Sequence, residues 1–366
     1  MKKAIFVNNP AAINGGALTV LTQFLEEIKL RKDKSKFYYF FVSADLKKYE
    51  CEYIKIIDDI KGRQMIDRMK WDKFGMKAWA KEHNIKPDLV ISLQNTAISF
   101  NGVPQIIYLH QSLPYSEYSK WNILKRDERK LWFYTNIYKH LIHNSIKKDM
   151  YVSVQTKWMK DSLIEKGISK DKIIISKPKL KEFDVNDIEK LHLDKNKYIY
   201  FYPADEYKYK NHKVILEALN HIKENYKDKI KNIKIIFTLD EKSDSYSYCK
   251  EHGLLDIVEF KSTLTYDKVL QYYKSCNCVL FPSYIETFGL PLIETAKFGK
   301  RILVSNCKYS REVLEGYTNV KFISHDNYQE WANNIINFDK TEVSINSDNL
   351  VKETWDEFFN LINKSI

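Results

Sequence analysis

Short, nearly unbroken apolar runs alternate along the chain with longer segments whose apolar residues recur three or four positions apart. In the first half the short runs are Ala4–Asn8, Tyr38–Val42, Leu89–Ser92, Gln105–Leu109 and Met150–Val154, with helical periodicity at Ala17–Leu30 and Lys157–Lys166. In the second half they are Tyr198–Tyr202, Lys234–Leu239, Ile257–Phe260, Cys278–Pro282 and Arg301–Ser305, separated by Lys213–Asn225, Tyr266–Ser275 and Pro291–Phe298. A strand buried on both faces shows no alternation, so the pattern specifies parallel sheets covered by helices. Its appearance twice predicts an α/β chain of two similar halves. The boundary is expected near Lys177-Pro178-Lys179, where the β-rich run Ile173–Ser176 meets a proline and a polar stretch, giving domains 1–178 and 179–348. In the final segment, 349–366, Leu350, Trp355, Phe358, Phe359 and Ile362 stand at helical spacing, and an amphipathic helix packing back on the first domain is expected.

Composition narrows the class. A chain of 366 residues exceeds one hydrophobic core. No run approaches the roughly 20 apolar residues of a membrane span. The apolar run Ala4–Val7 stops at Asn8-Asn9-Pro10, too short for a secretion signal, so it reads as a first buried strand. Five scattered cysteines without a Cys-x-x-Cys pair suit a reducing compartment, and a cytoplasmic protein is expected. Cys276 and Cys278, two apart in an apolar run, read as buried small hydrophobes on one side of a strand. The net charge of +11 belongs to the first half, the second being slightly acidic. Within the first half, Lys120, Lys125, Arg126, Arg129 and Lys130 alternate with Trp121, Ile123, Leu124 and Leu131, a stretch suited either to anionic lipid headgroups or to a solvated helix face. Basic charge also permits nucleic-acid binding, but no zinc-finger spacing, aromatic RNA-binding motif or basic tail accompanies it, and no nucleic-acid partner is expected.

In open parallel sheets ligands bind beyond the carboxyl ends of the strands, which directs attention to four loops. After Cys278–Ser283 comes Tyr284–Leu290, with Pro291 at a natural first helical position and Gly299 closing the helix. Such an entrance aims N–H groups and the positive end of the helix dipole at an anion such as a diphosphate. Glu286 and Glu294 bracket it, and each carboxylate can accept from a vicinal diol, one of a sugar and one of a ribose. On spacing alone, a dipole-complementing Glu294 and a solvated Glu286 remain open. The second loop, Tyr202–His212, carries Lys210. In the third, Asn8–Thr19, Gly15-Gly16 ahead of a helix permits close backbone approach, or is a plain turn. The fourth places His110 just past a strand, as a functional or a packed histidine. Gly-x-Gly-x-x-Gly is absent, against a dinucleotide-dependent dehydrogenase, and so is Asp-x-Asp, the usual ligand pair for a metal-bridged diphosphate. His140 and His143 have no third ligand nearby, so no metal site is expected.

The run Phe281-Pro282-Ser283-Tyr284-Ile285-Glu286-Thr287-Phe288-Gly289-Leu290-Pro291-Leu292-Ile293-Glu294 resembles the signature of glycosyltransferase family 4, the large retaining family of GT-B fold. The resemblance extends through Val152–Lys160, Tyr202-Pro203-Ala204, Lys210-Asn211-His212 and Ser305 to Val313, covering most of residues 150–316. It implies two Rossmann-like domains facing each other across a cleft, an acceptor side first and a donor side second. It also implies a retaining hexosyltransferase that moves a sugar from UDP or GDP to a hydroxyl of a glycan or lipid-linked glycan, in assembly of bacterial surface polysaccharide. By the resemblance, Glu286 holds the donor sugar, Glu294 the ribose, and Lys210 with Thr287, Phe288, Gly289 and Leu290 the diphosphate. Gly15 and Gly16 meet the donor phosphates or the acceptor, and His110 lies near the reacting sugar. Tyr115, Tyr118 and Trp121 are candidates for facing the acceptor. No cofactor or metal is implied, and the basic first half would rest on the inner face of an anionic membrane. Many relatives carry an arginine about five residues before the lysine; Asp205 stands there, leaving Lys208 as a candidate second cation. The alternatives are a nucleotide-sugar epimerase or phosphorylase using the same fold, or a non-catalytic glycan-binding or nucleic-acid-binding module.

Overall fold

The computed structural model describes residues 2–60, 64–117, 120–337 and 355–366. They form two compact units, the first running to Lys179 and taking back the C-terminal helix, the second beginning at Leu180.

The first unit is built on seven parallel strands, β1 (Lys3–Asn9), β2 (Lys36–Val42), β3 (Ile54–Ile57), β4 (Leu89–Ser92), β5 (Gln105–Leu109), β6 (Tyr151–Val154) and β7 (Ile173–Ile175), in the order β3-β2-β1-β4-β5-β6-β7. Every residue of β4 and β5 is buried, as the absence of alternation requires of a sheet covered on both faces. Residues of opposite parity along β1 feed two cores: Ile5 and Val7 pack with Val20, Leu21 and Phe24 of helix Gly15–Arg31. Phe6 packs with Phe41, Met76 and Val90. The C-terminal helix Trp355–Ser365 completes the former core, with Trp355 stacked on Tyr108 at 5.8 Å and Phe24 set 5.5 Å from both Phe358 and Phe359. Leu350 and the rest of the expected helix before Trp355 lie outside the described residues, as does Tyr118.

The second unit has six parallel strands, β8 (Tyr198–Tyr202), β9 (Ile233–Phe237), β10 (Val258–Phe260), β11 (Cys278–Phe281), β12 (Arg301–Ser305) and β13 (Val320–Ile323), ordered β10-β9-β8-β11-β12-β13. In both sheets the winding reverses once, between β1 and β4 and between β8 and β11, which opens a crevice at the carboxyl ends of those strands. Both units are therefore doubly wound α/β folds, the expected class.

Some expectations need correction. Cys276 does not open β11; it ends the helix Tyr266–Ser275, so it and Cys278 do not share a strand, although both are buried. The basic stretch from Lys120 does not form a helix before Arg129. Asn122 accepts from the Leu124 N–H and Glu128 accepts from the Asn122 N–H, closing successive turns that leave Ile123 and Leu124 exposed. Among the described residues no helix is long and apolar enough to cross a membrane. Two helices of the first unit each contain one π-turn, Trp71–Gly75 between Met65–Lys70 and Met76–Glu82, and Tyr134–Tyr138 between Arg129–Phe133 and Lys139–Ser145.

Candidate functional site

The crevice of the second sheet is walled by the loops after β8 and β11. The loop after β11 is anchored at its start. Ser283 is fully buried, and its hydroxyl donates to the Tyr209 carbonyl at 3.2 Å while its own carbonyl accepts from the Tyr309 hydroxyl at 2.6 Å. The Tyr284 N–H also donates to Tyr209, so the two loops are stitched together. At its end, Gly289 turns the chain with φ of +87°, a conformation that only glycine takes without strain. A Cβ there would stand 3.3 Å from Leu292 Cδ1 and 3.5 Å from the Tyr309 ring. Helix Leu290–Lys297 follows, with Pro291 in its first turn where a missing N–H costs nothing. Phe288 is buried beside the helix entrance, where the backbone N–H groups carry the positive end of the helix dipole.

The loop after β8 delivers Lys210. Asn211, in the left-handed region with φ of 59°, donates through Nδ2 to the carbonyls of His325 and Pro282 and thereby fixes the turn to the ends of β13 and β11. The Tyr202 hydroxyl holds the Lys210 carbonyl at 2.7 Å. So braced, Lys210 Nζ lies 2.5 Å from Glu286 Oε1, both side chains mostly buried. His212 is buried between Tyr202 and Phe237, and burial lowers its pKa to about 3, so it is a neutral packing residue.

Glu294 is 8% exposed and accepts from the Tyr266 hydroxyl at 3.0 Å. Burial outweighs that hydrogen bond and the nearby Lys297, and raises its pKa to about 7. A buried carboxyl with one partner and spare acceptor positions is prepared to take further hydroxyl donors. Asp205 and Lys208 are both exposed. Lys208 stands two positions before Lys210 on the 3-10 turn Lys208–Lys210. Neighbouring Glu206 accepts from the N–H groups of Asp244 and Ser245 at the start of another helix.

In the first unit, Gly15 (φ of 61°) and Gly16 open helix Gly15–Arg31 after β1, and a Cβ on either would meet nothing within 4 Å. His110 follows β5; its N–H donates to Asn95 Oδ1 at 2.8 Å, its ring hydrogen-bonds to the Leu93 backbone, and burial lowers its pKa to about 4, leaving a neutral imidazole. Tyr115 and Trp121 line a cavity of about 490 Å³ that also receives Trp132, Asn136 and Glu165. Among the described residues no group of three His, Cys, Asp or Glu side chains is placed to hold a metal ion.

Thus Lys210, Glu286, Glu294 and residues 287–290 share the carboxyl edge of the second sheet, while His110 and Gly15-Gly16 stand at strand ends of the first. Tyr266, the partner of Glu294, carries no sequence signal that would single it out.

The second unit is thus a doubly wound fold with these residues gathered at the carboxyl edge of its sheet. Residues 184–353 match the family model described as glycosyl transferases group 1. No curated protein sequence matches the chain. Among solved structures the chain is similar to HepE of Anabaena in complex with UDP and glucose, with a TM-score of 0.62 at 15% identity over 91% of this chain and 89% of that one. It is similar also to the lipopolysaccharide outer core galactosyltransferase WaaB (0.61, 16%, all of both chains). WaaG, a glycosyltransferase involved in lipopolysaccharide biosynthesis, gives 0.61 at 14% over 91% and 89%. At such identities the likeness is one of fold. The two units are those of the GT-B glycosyltransferase fold, and residues 184–353 are similar to the glycosyl transferases group 1 family.

Proposed function

We propose that the protein is a retaining glycosyltransferase of the family 4 type, moving a hexosyl group from UDP or GDP to a hydroxyl of a glycan or lipid-linked glycan in surface-polysaccharide assembly. The observation that carries this reading is the Lys210–Glu286 pair beside the Gly289 helix entrance, with buried Glu294 one turn further on. Lys210 and the 287–290 backbone take the diphosphate, whose charge grows as the glycosidic bond breaks. Glu286, fixed by Lys210, accepts from donor-sugar hydroxyls, and Glu294 accepts from the ribose diol. The departing phosphate oxygen takes the acceptor proton on the same face of the sugar, so rate comes from positioning and charge stabilisation rather than from a protein base. His110, neutral at physiological pH, is assigned to the reacting sugar, and Gly15-Gly16 to the phosphates or the acceptor. We assign no metal, Lys210 being the cation at the diphosphate. The acceptor belongs to the first unit, for which the cavity beside Tyr115 and Trp121 offers aromatic and amide groups suited to a saccharide. Action at the inner face of the membrane follows from the basic first half.

The test is a screen of UDP- and GDP-sugars for turnover without and with acceptor glycans, using the wild type and Glu286→Gln. Turnover of one nucleotide class, lost in the variant, supports the reading. Conversion of the donor to an isomer without release of nucleotide would identify an epimerase instead, and no turnover or nucleotide binding would leave a binding module.

A further inference from the structure

At the reversal point of the first sheet lies a buried polar cluster with no part in the site above. Asp72, second residue of the π-turn Trp71–Gly75, points at the carboxyl ends of β1 and β4. Its Oδ1 accepts from Asn8 Nδ2 at 3.0 Å, and Gln94 Nε2 reaches both carboxylate oxygens at 2.7 Å. Asn8 is held in turn by Trp71 Nε1 at 2.9 Å. No described ion pair includes Asp72; Arg68, one turn earlier on its own helix, and the Tyr138 phenol from the second π-turn are the other titratable groups that act on it or feel its charge.

The same loop that Asp72 clamps holds His110 at two points. Asn95 Oδ1 receives the His110 N–H, and the Leu93 backbone hydrogen-bonds its ring. Asn95, at φ of 75°, occupies a conformation unfavourable for a residue with a side chain, and Tyr138 hydrogen-bonds it. Two π-turns and one left-handed asparagine thus converge on four residues beside a ligand crevice. π-Turns within helices often mark functional sites, where the extra residue re-aims a side chain. Gln94 is 2% exposed and its Oε1 has no partner, so the amide has an unused acceptor pointing within this cluster.

We propose that Asp72 is a positioning residue for His110, its carboxylate locking the Leu93–Thr96 loop in the strained conformation that orients the imidazole. The inference rests on the proposed function for the role of His110, but the orientation itself is independent of that role. Burial raises the Asp72 pKa to about 7, against the hydrogen bonds of Asn8 and Gln94. Protonation turns the charged carboxylate that Gln94 Nε2 bridges into a neutral acid with one strong acceptor oxygen, which weakens the fork as pH falls.

The experiment is ¹⁵N NMR of the histidine side chains in the full chain, with His110→Ala to assign the signal, followed from about pH 6 to pH 8. In the wild type the His110 ring signals shift with a midpoint near 7, although that ring is itself neutral throughout; in Asp72→Asn they take one pH-independent position. In parallel, Asp72→Asn lowers kcat about tenfold at unchanged donor KM, and the double variant with His110→Ala loses no more than His110→Ala alone. Gln94→Met, which removes the fork without touching the acid, gives the same NMR change and serves should Asp72→Asn fold poorly. Ring signals that ignore both substitutions overturn the proposal. Multiplying kinetic losses overturn it as well. If no transfer is found in the wild type, the proposed function fails while the NMR result still decides this one.

Discussion

Lys210 Nζ and Glu286 Oε1, 76 residues apart in sequence, lie 2.5 Å from each other on adjacent loops of the second sheet. The pair neutralises each member in the unliganded protein, so the cation proposed for the diphosphate and the carboxylate proposed for the sugar hold each other in place. Lys210→Ala should lower transfer about 100-fold or more, as should Glu286→Gln. The double variant should fall well short of the product of the two, because either change already disables the pair. Single-turnover rates at saturating donor check this.

Glu294 gives a pH dependence with a defined sign. Its folded pKa of about 7 stands above the usual carboxyl value of 4.5, so the folded state holds the proton more tightly. The cost of burying its charge is absent below about pH 4.5, grows between there and pH 7, and is present in full above. At about 1.4 kcal/mol per unit it is on the order of 3 kcal/mol. Stability should therefore rise as pH falls from about 8 to 5, and Glu294→Gln should flatten part of that slope and stabilise the unliganded protein above pH 7. Asp72, raised in the same direction, accounts for a residual slope. Thermal melts of both proteins across this range measure it. Since hydroxyl donors favour the carboxylate, nucleotide binding below pH 7 should release a proton, visible as a buffer-dependent binding enthalpy.

Gly289→Ala places a side chain at φ of +87° and within 3.3 Å of Leu292. The expected loss is about 1–2 kcal/mol of stability together with weakened nucleotide binding, since the turn that aims the helix N-terminus is the part strained. A neighbouring change without backbone strain, Thr287→Ser, should leave stability unchanged.

Trp355 is buried against Phe24 and Tyr108. Trp355→Ala should cost about 3–5 kcal/mol of first-unit stability, read as a lowered denaturant midpoint.

The strands that the apolar runs predicted are those of the two sheets, with Leu89–Ser92, Gln105–Leu109, Tyr198–Tyr202 and Arg301–Ser305 matching to the residue. A strand buried on both faces announces itself without tertiary context. The short strands Ile54–Ile57 and Val320–Ile323 escaped because edge strands of four residues, each with one lysine exposed, look like loops. The anion-friendly helix entrance was legible from Gly289, Pro291 and the bracketing glutamates; Lys210 stood out only through family resemblance, and its ion pair with Glu286 was not foreseen, since nothing local links residues 76 apart. Asp72 was not legible at all. Its position depends on a π-turn, and its partners Asn8 and Gln94 come from two other elements.

The carboxyl edge of the second sheet is proposed to bind the diphosphate and ribose of a nucleotide donor. Calorimetric titration of UDP and of GDP into the wild type, Lys210→Ala and Glu294→Gln tests it most directly. One of the two nucleotides should bind at a single site, at least about tenfold more weakly in each variant. Absence of binding by either nucleotide, or equal affinity in all three proteins, would contradict the account.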